Sequence, residues 1–335
     1  MTSSDFKPLR LGSRGSLLAR TQSGHFAVAV ANSLGMEVTD AITEVIIRTE
    51  GDDSTIPLHE SKTPGLFVNA LRDALLRGEV DFIVHSFKDL PTGSVDGLTL
   101  AAVPQREDLG DVLVSQGNLR LNELVVGAVV GTSSPRRSAK LLFVRPDLVI
   151  KPIRGNIDTR ISKVRSGEYA ATVLAAAGLN RIGRMDEAAE RLGLDVLLPA
   201  PAQGALAVEC RSDDERTLAI LGQLDNPEVR VTTTAERAIL VGVGATCSTA
   251  VGAVAEILDG NQLWVRAELS HPVPTDAGIE YERFEISAPL SDELGSTASL
   301  SEAHQLGLYA ATRILETQLG RRVLADIQAE KNPLA

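Results

Sequence analysis

Short apolar runs alternate with helical patterns along the first two thirds of the chain. Leu9 to Ser13 leads into a helix predicted over about 16–31. Val80 to Val84 follows a helical pattern that Gly78 ends. Strand, turn and helix in this order are typical of a parallel sheet covered by helices, so we predict an α/β fold. Further strands of this kind are predicted at Val125–Gly131, Leu148–Ile153 and Ala171–Ala175.

Two segments interrupt this alternation and divide the chain. Pro104–Asp111 is rich in charge, and Leu198–Gln203 is rich in proline. We interpret both as crossings between two α/β domains, with Ala205–Cys210 as a strand that rejoins the first domain. The predicted domains are an α/β domain of residues 1–104 and 204–224, an α/β domain of residues 105–203, and a third domain of residues 225–335.

The last third of the chain has a different pattern. Val251–Leu258 and Leu263–Leu269 flank Asp259-Gly260-Asn261 and predict a hairpin. Tyr281–Ile286 predicts a further strand, and Glu302–Leu319 predicts a helix that Gly320 closes. We therefore expect a small α+β C-terminal domain beside the two α/β domains.

Length, composition and charge narrow the class of protein. At 335 residues the chain exceeds the usual size of a single core. A net charge of −11 and 3% aromatic residues argue against nucleic acid as a partner, since neither a basic surface nor stacking side chains are evident. No apolar run has the length of a membrane span and no secretory signal opens the chain, so we expect a cytoplasmic protein without a membrane partner. The five histidines and two cysteines lack ligand-like spacing, so no metal is expected.

Cationic residues follow four predicted strands, at the ends where parallel sheets bind ligands. Ser134 and Pro135 predict a helix start, which places Arg136 and Arg137 in the first turn. A cation in the first turn interacts unfavourably with the helix dipole, at a cost of ~0.3–1 kcal/mol each, and a bound anion would make the site favourable again. Alternatively these arginines pair with acidic neighbours, and the use of 26 Arg against 7 Lys weakens any argument from arginine identity. The four strand ends carry Arg14, Lys88, Arg136 with Arg137, and Arg154 with Arg160.

Asp89 is the carboxylate predicted among these cations. It follows an apolar strand and Lys88, where it could accept hydrogen bonds from a substrate, stabilise a cation or shuttle a proton. A loop aspartate that caps backbone or pairs with Lys88 fits the spacing equally well. His85 is interpreted as a structural histidine. Cys247 lies on a glycine-bearing loop and Cys210 within an apolar run, so the thiol of Cys247 is predicted to be the more accessible. The spacing alone fits an ordinary loop thiol as well as a functional one.

Motifs between Leu11 and Ala205 resemble those of the hydroxymethylbilane synthase (porphobilinogen deaminase) family, and the resemblance spans almost the whole chain but is weakest in its last third. They are Leu11-Gly12-Ser13-Arg14-Gly15-Ser16 with Gln22, Thr49-Glu50-Gly51-Asp52, Gly65-Leu66-Phe67, Val84-His85-Ser86-Phe87-Lys88-Asp89-Leu90-Pro91, Arg106-Glu107-Asp108, Gly131-Thr132-Ser133-Ser134-Pro135-Arg136-Arg137, Arg154-Gly155-Asn156 with Thr159-Arg160, and Pro201-Ala202-Gln203-Gly204-Ala205.

The resemblance implies an enzyme of tetrapyrrole (haem) biosynthesis. Such a transferase condenses four porphobilinogen molecules head to tail, releases ammonia each time and hydrolyses the product to hydroxymethylbilane. The resemblance also implies one dipyrromethane cofactor per chain, joined by a thioether to Cys247, and a catalytic role for Asp89 with Lys88 at the pyrrole nitrogens and the azafulvenium cation. Its partners would be porphobilinogen and the growing pyrrole chain, and we expect a monomer. The residues implied to bind the acetate and propionate groups are Arg14, Ser16, Lys88, Thr132, Ser134, Arg136, Arg137, Arg154 and Arg160.

The resemblance further implies two domains like those of periplasmic binding proteins around a cleft, with a third domain that carries the cysteine. Two segments depart from the family pattern. Ala245-Thr246 stands where the family commonly has glycines before the cysteine, which predicts a stiffer loop. Ser61-Lys62-Thr63-Pro64 stands where many members have a lysine- and glycine-rich stretch, within a predicted lid at residues 56–65. The alternative function is a non-catalytic two-lobed protein that binds a small carboxylate.

Overall fold

The computed structural model of the chain describes residues 6–48, 66–246, 248–271, 278–291 and 293–331. Cys247, the predicted lid at 56–65 and the motif at 49–52 lie outside the described residues. The elements in chain order are β1 (Leu9–Ser13), α1 (Leu17–Leu34), α2 (Val38–Ala41), β2 (Ile42–Ile46), α3 (Leu66–Leu76), β3 (Phe82–Ser86), β4 (Leu98–Ala102), β5 (Asp111–Ser115), β6 (Val129–Gly131), α4 (Pro135–Val144), β7 (Val149–Lys151), α5 (Ile157–Arg165), β8 (Ala171–Ala175), α6 (Ala176–Arg181), β9 (Glu190–Leu192), β10 (Leu206–Arg211), α7 (Glu215–Leu221), α8 (Pro227–Val243), β11 (Ala250–Leu258), β12 (Gln262–Ser270), β13 (Tyr281–Pro289), α9 (Thr297–Leu315) and α10 (Gln318–Lys331).

The chain forms two compact units. Unit 1 comprises Met1–Arg106 and Ala205–Arg230, and unit 2 comprises Glu107–Gly204 and Val231–Ala335. The α/β fold class is confirmed, whereas the division into three domains stays a prediction. None of the described helices is long and apolar enough to cross a membrane.

Unit 1 is built on a five-stranded sheet of order β2-β1-β3-β10-β4. β1 pairs parallel with β2 and β3, while β10 runs antiparallel between β3 and β4. The sheet is therefore mixed. Its strands β1, β2 and β3 are parallel, as the strand–turn–helix pattern predicts, whereas the strand that returns after the second crossing, whose direction was not predicted, runs antiparallel. Leu11 and Phe82 pack beneath α1, where the rings of Phe26 and Phe82 lie edge to face with centroids 6.0 Å apart.

Unit 2 contains a second five-stranded sheet of order β7-β6-β8-β5-β9. β6 pairs parallel with β7 and β8, while β5 runs antiparallel between β8 and β9. The pattern repeats that of unit 1, except that the antiparallel strand here precedes the parallel ones along the chain. Each sheet thus receives its antiparallel strand directly after a crossing between the units.

Unit 2 also contains an antiparallel sheet of order β11-β12-β13. One core joins this sheet to α8, α9 and α10 through residues such as Ile239, Val265, Ile314 and Val323. The predicted helix at 302–319 is in fact two helices, α9 and α10, and Gly320 lies inside α10 rather than closing α9. A side chain at Gly320 would collide with the backbone of Ile314 and Leu315, so this glycine permits the close turn between the two helices.

Candidate active site

Two strand ends in unit 1 bring four predicted site residues to one edge of the sheet. Arg14 and Ser16 follow β1, and Lys88 and Asp89 lie in the 3₁₀ turn that follows β3. β1 and β3 are parallel neighbours, so their carboxyl ends face the same side. The Oγ of Ser86 donates to Oε1 of Gln22 over 3.1 Å, which ties the end of β3 to α1.

Ser16 begins α1. Its Oγ accepts the N–H of Ala19 at 3.4 Å, and its backbone is extended, as the residue that caps a helix requires. Arg14 is half-buried two residues before this cap. A cation and a helix N-terminus at one place are the combination that binds carboxylates.

Asp89 is exposed, whereas Phe87 and Leu90 on either side are buried and anchor the turn. The side chain of Asp89 makes no hydrogen bond or ion pair with any of the residues that the structure describes. The sequence left open that Asp89 caps its own loop or pairs with Lys88, and the structure contains neither contact. A carboxylate on an anchored turn remains available for a substrate.

A buried charged cluster lies beneath this turn. His85 is 6% exposed, and its Nε2 lies 3.2 Å from Oε2 of Glu209 on β10. Arg72 on α3 donates to both oxygens of Glu209, over 2.9 and 2.7 Å. Burial alone would raise the pKa of Glu209, but hydrogen bonds from His85 and Arg72 outweigh it and lower the pKa to about 2. His85 therefore has the structural setting that was predicted for it.

The second cationic edge lies in unit 2, at the ends of β6 and β7. Ser134 caps α4 by accepting the N–H of Arg137 at 3.4 Å, and Ser134 itself donates from its N–H to Oγ1 of Thr132. Ser133 joins the two strand ends, because its Oγ donates to the carbonyl of Ile153 over 2.9 Å. The parallel pairing of β6 with β7 thus brings the turns that carry the predicted site residues side by side.

Arg136 and Arg137 point inward rather than to solvent. Both are at least nine-tenths buried and share the carboxylate of Asp111, at 2.8 Å from Nη1 of Arg136 and 2.6 Å from Nη2 of Arg137. Burial lowers the pKa of Arg136, and the charge of Asp111 opposes that shift. Two cations face one anion in this pairing. The Nε of Arg137 is also buried and has no hydrogen-bond acceptor in the described part of the chain, so a donor is left for a further anion.

Arg154 and Arg160 lie around the turn after β7. Asn156 caps α5 by accepting the N–H of Thr159 at 2.9 Å, and Nε of Arg160 donates to the carbonyl of Gly155 over 2.9 Å. Gly155 has φ +105°, and a side chain there would lie 2.5 Å from Thr159. Only glycine fits this turn, and because it has no side chain, no side-chain atoms of residue 155 cover the backbone beside Arg154.

The sequence did not single out Asp111 and Gln203 as partners of the arginines. Nε2 of Gln203 donates to Oδ1 of Asp111 over 3.1 Å and to the carbonyl of Leu109 over 2.9 Å. One signal was available in the sequence. Asp111 is followed by the apolar run Val112–Val114, and a carboxylate at a buried position requires a cationic partner.

Cys210 is fully buried on β10, and burial raises the pKa of its thiol to about 12. Such a thiol is an inert core residue, because the reactive species is the thiolate. No group of three or more His, Cys, Asp or Glu side chains able to hold a metal occurs in the ranges that the structure describes.

Comparison with known proteins gives a consistent result. The family model described as porphobilinogen deaminase, dipyromethane cofactor binding domain, matches residues 9–219. Porphobilinogen deaminase 1 of Streptomyces coelicolor is 48% identical over 291 residues, which cover 85% of this chain and 90% of that protein. Porphobilinogen deaminase of Mycobacterium tuberculosis is 49% identical over 320 residues, which cover 94% of this chain and 98% of that protein.

Some solved structures show a partial likeness to the chain. A Salmonella typhimurium periplasmic binding protein is 12% identical with a TM-score of 0.37, covering 65% of this chain and 92% of its own. A YaeC-family lipoprotein of Enterococcus faecalis is 16% identical with a TM-score of 0.38, covering 67% of this chain and 94% of its own. Likeness at this level says nothing about function.

Proposed function

The chain belongs to the porphobilinogen deaminase family, and from this membership we propose that it is a hydroxymethylbilane synthase. The reaction joins four porphobilinogen molecules head to tail with release of ammonia, and hydrolysis then gives hydroxymethylbilane. The observation that carries the proposal is the pair of cationic strand-end edges in a chain of net charge −11. Every pyrrole ring of the substrate brings two carboxylates, so an acidic protein needs local cations to hold it.

The residues present fit a dipyrromethane cofactor. Its acetate and propionate groups require several cationic donors, and Arg14, Lys88, Arg154 and Arg160 lie half-buried at the strand ends. The buried Nε of Arg137 offers a further donor. We propose that these side chains, with Arg136, Ser16, Thr132 and Ser134, bind the ring carboxylates, and that Cys247 holds the cofactor by a thioether. When bound, the cofactor supplies the pyrrole carbon to which the first substrate is joined.

Asp89 is proposed as the catalytic carboxylate. Loss of ammonia breaks the C–N bond of the substrate and leaves a positive charge conjugated with the pyrrole nitrogen. A fixed carboxylate near that N–H accepts its hydrogen bond more strongly as the charge develops, which lowers the barrier more than it aids binding. Lys88 lies in the same turn, where it would hold a ring carboxylate so that the nitrogen faces Asp89.

Mass spectrometry of the intact protein tests the proposal. The purified chain is expected to be heavier than its sequence by one covalent dipyrromethane, and to give colour with an acidic aldehyde reagent. Cys247→Ser should lack the adduct, whereas Cys210→Ser is the matched control and should keep it, since Cys210 is buried with a raised pKa. An adduct that persists in Cys247→Ser would place the attachment elsewhere. A chain that carries no pyrrole but binds a small carboxylate would support the alternative of a two-lobed binding protein.

We further propose that the enzyme works in the cytoplasm as a monomer, with no nucleic-acid, membrane or metal partner. The acidic composition and the scarcity of aromatic residues support the absence of a nucleic-acid partner.

A further inference from the structure

The last helix reaches the loop on which the proposed cofactor cysteine lies. Leu319, Val323 and Ile327 of α10 recur every four residues and are each at most 4% exposed, so one face of this helix is fixed in the core of unit 2. Glu330 follows one turn after Ile327 and is itself exposed. The docking of α10 therefore determines where the carboxylate of Glu330 is held.

Glu330 contacts both residues that flank Cys247. The Oγ1 of Thr246 donates to Oε2 of Glu330 over 2.9 Å. The Oγ of Ser248 donates to the same carboxylate, with separations of 2.6 and 2.7 Å from its two oxygens. One carboxylate thus bridges the positions immediately before and after the cysteine. Hydrogen bonds to an ionised acceptor are about twice as strong as neutral ones.

The same loop is closed internally by Thr246. Its N–H donates to Oγ1 of Thr249 over 2.9 Å, and its Oγ1 accepts the N–H of Ser248 at 3.4 Å. Before it, Gly244 has φ +67° and Ala245 donates from its N–H to the carbonyl of Leu240, which ends α8 sharply. The loop is therefore anchored to α8 on one side and to α10 through Glu330 on the other.

We propose that Glu330 is a positioning residue for cofactor attachment, which acts by holding Thr246 and Ser248, the residues on either side of Cys247. This inference rests on the proposed function.

Cofactor loading measures this positioning directly. Chain produced in cells that cannot make porphobilinogen is mixed with porphobilinogen, and the gain of mass is followed in time. Glu330→Ala should load roughly ten- to a hundredfold more slowly than the unaltered chain, because a displacement of about 1 Å at a reacting group costs up to this much. Thr246→Val removes one of the bonds without touching α10, and should slow loading in the same direction.

Asp326→Asn is the matched control. It removes one negative charge from the same helix, and its partner is His271 at 3.2 Å rather than the cysteine loop. This variant should load at the rate of the unaltered chain. Alkylation of Cys247 by iodoacetamide, followed by peptide mapping, gives a second readout, because a small reagent makes little demand on orientation. The alkylation rate should be similar in all variants.

Equal loading by Glu330→Ala, Thr246→Val and the unaltered chain would overturn the proposal. So would slow loading that is matched by equally slow alkylation, since the variants would then have changed access to the thiol rather than its orientation. Failure of the unaltered chain to gain any mass would instead contradict the proposed function.

Discussion

Asp89 differs from the other residues of the candidate site because it is an exposed carboxylate among groups that are mostly cationic or hydroxylic. The buried Phe87 and Leu90 fix the turn on both sides of it, so its charge is placed by packing rather than by an ion pair. The rate of chain growth should therefore depend on Asp89 more than the stability of the protein does.

Asp89→Asn keeps the size and one acceptor oxygen but removes the charge. It should lower single-turnover conversion by ~10²–10³, the usual consequence of losing one preorganised electrostatic group, while the melting temperature stays unchanged. Asp89→Glu keeps the charge and should retain more activity than Asn. Both variants must be compared at equal cofactor content. Cofactor-loaded Asp89→Asn that turns over like the unaltered chain would show that Asp89 is a structural loop residue.

The setting of Arg136 and Arg137 could be predicted only in part from the sequence. The sequence placed them correctly in the first turn of α4, capped by Ser134. It could not show that both turn inward onto Asp111, because that carboxylate is distant in the chain and meets them only when β5 enters the sheet. Their pairing with an acidic neighbour was one of the two alternatives left open, and a role in carboxylate binding stays a prediction.

At the scale of elements, α4 is fixed at its middle as well as at its N-terminus. Lys140 is 2% exposed, and its Nζ lies 3.3 Å from Oε2 of Glu268 on β12 and 3.6 Å from the ring centre of Tyr281 on β13. Arg283 approaches the same Glu268 to 2.8 Å. Burial lowers the pKa of Lys140, and the charge of Glu268 opposes this shift. The helix that carries Arg136 and Arg137 is thereby held against the antiparallel sheet.

Two substitutions in this cluster, Glu268→Gln and Lys140→Met, are expected to lower the free energy of unfolding by different amounts. Glu268→Gln leaves two cations near each other without their common anion and should lower the free energy of unfolding by about 3–5 kcal/mol. Lys140→Met leaves Glu268 paired with Arg283 and fills the site with a flexible apolar chain, so the loss should be nearer ~1 kcal/mol. Urea unfolding of both variants measures the difference. Equal losses of the free energy of unfolding in the two variants would mean that Arg283 does not neutralise Glu268 once Lys140 is removed.

Element boundaries were predicted from the sequence best where the pattern was local. The hairpin of β11 and β12 and the capped starts of α1 and α4 follow from turn and cap residues within a few positions. The antiparallel direction of β10 was not predicted, because it depends on strands more than 100 residues earlier in the chain. The break between α9 and α10 was not predicted for another reason: Gly320 lies against the backbone of Ile314 and Leu315, a close approach that helical periodicity does not reveal.

At the scale of the whole molecule, stability should depend on pH through the buried cluster of unit 1. Glu209 has a pKa of about 2 in the folded chain against an ordinary value of 4.5. The unfolded chain therefore binds more protons between these values, and the stabilisation from Glu209, roughly 3 kcal/mol, is present above pH 4.5 and lost as the pH falls towards 2.

Glu209→Gln tests this dependence. It should lower stability at neutral pH, because Arg72 and His85 lose a buried charged partner, and it should flatten the fall in stability between pH 5 and pH 3. Urea unfolding at several pH values in this window gives both quantities. Asp147→Asn is a suitable control, since its partner Arg145 lies nearer the surface and the pair contributes less to stability. If Glu209→Gln does not change how the free energy of unfolding depends on pH in this window, other carboxylates cause the acid sensitivity.

The antiparallel position of β10 has a consequence for how the protein is made. β10 fills the gap between β3 and β4, yet it is translated only after the whole second sheet. At about 5–20 residues per second, the ribosome leaves the facing edges of β3 and β4 without their partner for several seconds. Such edges are templates for pairing with other chains. The nascent polypeptide is therefore prone to aggregation during this interval. The length of the interval is set by the number of residues between β4 and β10, and slow codons in this stretch would prolong it.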